Sequence, residues 1–130
     1  MIRSQNGFTL IEIISVLVIL GVLAAIAVPK YAELQANAKK MAARGQVAEL
    51  KGTLNTAWGK AFLVKGSAPE IDDVTGNANM GVTGEEQSVG TAPDIWYYNW
   101  SASGNIVTIS ISARGSDTDY NDVGIWTLPK

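Results

Sequence analysis

The stretch Gly7-Phe8-Thr9-Leu10-Ile11-Glu12-Ile13-Ile14-Ser15-Val16-Leu17, continuing as an apolar run to Val28, decides the fold of this chain. Residues 8–28 are interrupted only by Thr9, Glu12 and Ser15 and are otherwise Ile, Leu, Val, Ala, Phe and one Gly. At about 1.5 Å per residue a helix of this length spans about 30 Å, the thickness of a bilayer hydrocarbon core. Glu12 is the single charge inside it. A carboxylate at bilayer depth is costly and calls for a partner.

Ahead of the run stands a short polar leader whose only basic residue is Arg3. A cleaved secretory signal is disfavoured: the run is long for an h-region, the leader is weakly basic, and no convincing small-x-small site closes it. A buried soluble helix is disfavoured because the remaining chain is too small to wrap it. Counting charges around the span, Arg3 before it against Lys30, Lys39, Lys40 and Arg44 after it, would place the C-terminal side in the cytoplasm.

Residues 1–29 resemble the N-terminus of type IV prepilins and of type II secretion pseudopilins. The likeness rests on the basic polar leader ending in Gly7, on Phe8-Thr9-Leu10-Ile11-Glu12, on the apolar helix, and on Pro29-Lys30-Tyr31 beyond it. It implies that a prepilin peptidase/methyltransferase cuts between Gly7 and Phe8 and N-methylates Phe8. It also implies that the leader is cytoplasmic and the globular part lies outside, against the charge count. Gly7 suits a cleavage position because it leaves the backbone free to extend in a protease site. The freed α-amino group of Phe8 is positive near neutral pH. In a packed filament the Glu12 carboxylate of one subunit can meet the Phe8 ammonium of its neighbour, and buried charges are tolerated when paired.

Composition bounds the rest. One globular domain is expected after the span. Removal of residues 1–7 leaves 9 basic against 12 acidic side chains, which gives no support for a nucleic-acid partner. The absence of Cys and His removes disulfides, thiol nucleophiles and the usual general base or transition-metal ligand. Many pilins close a C-terminal loop with a disulfide, so this chain needs another staple there.

The expected fold is α+β: a long N-terminal helix packed on a small antiparallel sheet, the arrangement of type IV pilins. The expected divisions are a leader at 1–7, a transmembrane and filament-core helix at 8–29, and an extracytoplasmic domain at 30–130. Within the last, helix is expected over 30–64, loop over 65–93 and sheet over 94–130. Val47, Leu50, Leu54, Ala57, Trp58, Ala61 and Phe62 recur at three- and four-residue steps and mark a buried stripe. Their spacing makes packing a better account of Trp58 and Phe62 than ring-to-ring electron conduction. Pro29 should kink or locally melt the helix. Gly45, Gly52 and Gly59 share a face, and simple tolerance explains them best. The loop is rich in Gly, Ala, Thr, Asn and Ser, with a short helix expected near residues 69–73. Residues 95–100 and 106–113 form a hairpin across a four- or five-residue connection, with a third strand over 123–128. The alternation Val107, Ile109, Ile111 against Thr108, Ser110, Ser112 says one face is buried.

Asp117, Asp119 and Asn121 imitate the start of an EF-hand, but Asp122 stands where Gly is required and Leu128 where the bidentate Glu belongs. Asp117, Asp119 and Asp122 remain a candidate set for structural Ca²⁺, and residues 122–128 resemble the C-terminus of major pseudopilins, a subfamily with such a site. A solvated acidic turn is the competing account. No cofactor is required otherwise.

Three functions are carried forward. The first is a subunit of a homo-oligomeric type IV pilus, inserted in the bacterial inner membrane as a precursor and then exported as an extracellular filament through an inner-membrane assembly platform. The second is a pseudopilin of a periplasmic pseudopilus driving protein export. The third, a membrane-anchored enzyme, lacks a recognisable site: no catalytic residue is assigned.

Overall fold

The computed structural model describes residues 7–78 and 80–130. Arg3 and the rest of the leader before Gly7 lie outside the described residues. The chain divides into two compact units, Met1–Ala36 and Asn37–Lys130.

Helix α1 spans Leu10–Lys65. In the first unit its apolar side chains are all exposed, and the segment is long and apolar enough to cross a membrane. Among the described residues nothing covers them, as suits a segment that meets lipid or neighbouring helices. The backbone stays α-helical through Pro29. The expected local melting is therefore absent: proline removes one hydrogen bond, and long helical runs on both sides hold the rest.

In the second unit α1 turns amphipathic. Ala43, Val47, Leu50, Leu54, Ala57 and Ala61 are buried at three- and four-residue steps. They pack on one face of a four-stranded antiparallel sheet of order β1-β2-β3-β4: β1 Gln87–Val89, β2 Trp96–Ser103, β3 Ile106–Arg114 and β4 Asp122–Thr127. The facing side chains are Tyr98 and Trp100 of β2, Val107, Ile109 and Ile111 of β3, and Trp126 of β4. The Trp126 indole N–H donates to Asn55 Oδ1 at 2.8 Å, fastening β4 to α1. Gly124 lets β4 cross α1 closely, since a Cβ there would stand 2.0 Å from Val47 Cγ1.

Three expectations need correction. Phe62 does not join the core; it is 42% exposed and stacks on Trp58 at 5.4 Å. The hairpin turn is two residues, Gly104-Asn105, because β2 runs on to Ser103. Gly104 at φ 57° supplies the left-handed backbone that a tight hairpin demands. The segment over 65–93 is not all loop. The expected short helix is there as α2, Ile71–Asn77, and the departure is strand β1, which pairs with β2 from Gln87↔Tyr98 to Val89↔Trp96. Val74 and Met80 from this segment are fully buried and complete the core, and the Tyr98 hydroxyl donates to Met80 O at 3.4 Å. A Gly- and Ser-rich composition hid this because two buried side chains and three paired residues are enough to anchor such a stretch.

Lys65 ends α1 and pairs with Asp73 of α2 at 2.6 Å, while Asp73 also accepts from the Glu70 N–H at 2.9 Å. The Lys65 ammonium first, then that N–H, hold the Asp73 carboxyl below its ordinary value. A depressed carboxyl stabilises the fold above the ordinary aspartate value, about 3.9, and loses that contribution as pH falls through its folded value. Asp73→Asn should therefore flatten the acid limb of a Tm-against-pH curve below about pH 4. A variant curve parallel to that of the wild type would reject this.

Candidate assembly and cation sites

The helix start is built by Thr9 and Glu12. The Glu12 carboxylate accepts from the Thr9 N–H at 2.7 Å and from the Thr9 hydroxyl at 2.7 Å, and the Glu12 N–H points back to Thr9 Oγ1 at 3.4 Å. This is a reciprocal capping box, Thr-x-x-Glu, which satisfies donors that a helix end otherwise leaves bare. The Thr-x-x-Glu spacing that signals it is legible in the sequence at Thr9 and Glu12. The third polar interruption is equally self-contained: the Ser15 hydroxyl donates to Ile11 O at 2.7 Å. All three polar side chains of the span thus have local partners, as a segment without water requires. Gly7 precedes the helix in exposed, non-helical chain, and Phe8 beside it is 82% exposed. Phe8 lies two residues before α1 and Glu12 in its first turn, both on the surface and open to another molecule. Pro29 lies inside the helix.

The acidic turn between β3 and β4 is organised differently from the expected metal cage. Arg114 and Asp117 close it through paired backbone hydrogen bonds, Arg114 N to Asp117 O at 2.9 Å and Asp117 N to Arg114 O at 3.1 Å. Asp117 Oδ1 accepts from the Asp119 N–H at 3.0 Å. Into this turn α1 sends Lys39, whose Nζ lies 2.7 Å from Asp117 Oδ2 and 3.0 Å from Asp119 Oδ2. Asp117 chiefly, with Asp119, raises the Lys39 ammonium above its ordinary value, and Lys39 chiefly lowers Asp117. Asp122 turns instead toward Arg44, at 3.6 Å. Tyr120 lies between two cations, Lys39 Nζ at 5.5 Å and the Arg114 guanidinium at 5.7 Å, and meets Trp96 edge-on at 5.3 Å. Arg114 also stacks on Trp96 and binds Asp94. Among the described residues no three acidic side chains converge as a metal site. As arranged, these residues do not fit Ca²⁺, which takes six to eight oxygens, because an ammonium holds the space between the two nearest carboxylates. Sequence reading missed Lys39 because it lies 80 positions from Asp119.

A family model described as the prokaryotic N-terminal methylation motif matches residues 2–28. The type IV narrow pilus major component of Thermus thermophilus is 31% identical over 108 residues, covering 83% of this chain and 79% of that protein. The type IV major alpha-pilin of Moraxella bovis is 34% identical over 88 residues, covering 66% of this chain and 52% of that protein. The type II secretion system core protein G of Pseudomonas aeruginosa is 45% identical over 53 residues, covering 41% of this chain and 37% of that protein. The chain thus spans about half the length of the Moraxella relative, and less of the secretion protein. No solved structure matches it. With a long N-terminal helix packed on an antiparallel sheet and a prepilin-type start, the chain belongs to the type IV pilin and pseudopilin family.

Proposed function

We propose that this chain is the building block of a type IV pilus. It enters the bacterial inner membrane through residues 8–29, is cleaved between Gly7 and Phe8 and methylated on Phe8 by a prepilin peptidase/methyltransferase, and passes through an inner-membrane assembly platform into an extracellular helical filament. The observation that carries this is the single carboxylate of Glu12, four residues from Phe8, on the exposed and mostly apolar first part of α1. In a lone subunit the carboxylate is held by Thr9; in a filament the Phe8 ammonium of a neighbour gives it an opposite charge, which a buried carboxylate requires. The relatives matched over 88 and 108 residues are named as a type IV pilin and a type IV pilus component, which favours a pilus. A periplasmic pseudopilus is the second reading, favoured by the likeness to a type II secretion core protein.

Two substitutions test the assembly role. Glu12→Gln keeps a capping side chain and loses the charge; Glu12→Val loses both. Both precursors should still insert and be cleaved, and both should enter sheared filaments about tenfold less, or worse, than wild type. Normal incorporation of Glu12→Gln would sink the charge pairing. Electron microscopy of the sheared surface fraction separates the two readings: labelled filaments outside the cell mark a pilus, and their absence with a periplasmic signal marks a pseudopilus.

A further inference from the structure

We propose that the β3–β4 turn is a cation site whose resident cation is the side chain of Lys39, so that the chain carries covalently the charge that a bound metal would otherwise supply. This holds for either kind of filament. The Lys39 side chain is only 17% exposed, although lysine is normally solvated, and its ammonium meets two carboxylates at once, at 2.7 and 3.0 Å. A lysine ammonium is a compact point charge with three donors, which suits carboxylates converging from different directions. The turn is shaped around that charge: Asp117 uses one oxygen to accept from the Asp119 N–H and the other to accept from Lys39, and the Tyr120 ring faces Nζ. Two carboxylates against one ammonium leave a surplus negative charge at this spot, the condition under which a free cation would bind if the ammonium were withdrawn.

The arrangement also answers what fastens this region in a chain without cysteine. Lys39 joins α1 to the turn, and Arg44 joins α1 to Asp122 at the start of β4. A tethered cation cannot be chelated or diluted away. Its contribution therefore does not vary with the divalent ions around the cell.

The test uses the full chain in detergent micelles and follows thermal unfolding by near-ultraviolet circular dichroism. Wild type should show the same Tm in chelator and in millimolar Ca²⁺. Lys39→Met keeps the apolar stem, removes the charge, and should lower Tm by a few degrees in chelator; added Ca²⁺ should restore most of the loss. Calorimetric titration of Lys39→Met with Ca²⁺ should show one site, absent in wild type and abolished by a further Asp117→Asn. Should Lys39→Met fail to fold in chelator, Asp119→Asn, at the more exposed carboxylate, provides the milder comparison: it should lower Tm and leave it unresponsive to Ca²⁺. A wild-type Tm that falls in chelator would overturn the proposal, as would a Lys39→Met variant that neither loses stability nor binds Ca²⁺.

Discussion

Leu54→Ala should destabilise the globular unit by about 2–5 kcal/mol, the cost of deleting a fully buried leucine and leaving part of its volume empty. Leu54 has no exposed surface and lies in the cluster that joins α1 to the sheet, with Val107 and Ile109 fully buried in the same cluster. For a domain of about 100 residues each kcal/mol moves Tm by roughly 4–8 °C, so the fall should be unmistakable by circular dichroism. The control is Leu63→Ala on the same helix. Leu63 is 83% exposed, and its loss should stay within about 0.5 kcal/mol. Equal effects at the two positions would mean that the buried stripe is wrongly placed.

A methyl group added at Gly124 should be nearly as damaging. The new Cβ would stand 2.0 Å from Val47 Cγ1 and 3.0 Å from Lys51 Cε. Lys51 can swing aside, but Val47 is buried and, as a branched residue in a helix, has essentially one side-chain rotamer. Either β4 must lift from α1 or the helix must shift, and overpacking of this kind typically costs about 1–3 kcal/mol. Truncating the obstacle supplies the decisive comparison. Gly124→Ala placed on Val47→Ala should cost less than on wild type, giving a coupling of about 0.5 kcal/mol or more. Strict additivity would show that the two residues do not touch.

Both effects concern the half of the molecule that was only partly legible beforehand. The stripe Val47, Leu50, Leu54, Ala57, Ala61 was evident because helical periodicity is a local property, and Leu54 could be chosen from it directly. Phe62 obeys the same spacing, yet it is 42% exposed and stacks on Trp58 beside the core. The alternation in β3 revealed its buried face for a similar reason. Strand β1 was missed because three residues carry no detectable period and their pairing with β2 is fixed by register. The hairpin turn was placed too early because Ser101, Ala102 and Ser103 look like turn residues, yet they continue a strand when β3 offers partners. At the N-terminus the significance of Glu12 was plain, while its bond to Thr9 was a motif overlooked. At the other end the acidic residues are legible in the sequence, while their cation, Lys39, comes from a distant turn of α1.

The sequence by itself determined the elements whose signals are local: an apolar helix with one carboxylate, an amphipathic continuation, a hairpin whose second strand alternates, and the membership that the first residues announce. The tertiary structure alone decided which distant residues meet: Lys39 with Asp117 and Asp119, Asn55 with Trp126, and Val47 with the bare backbone of Gly124. Periodicity within a segment sets which face is buried. Contacts between segments depend on register, crossing distance and turn geometry, and none of these is written in the residues near either partner.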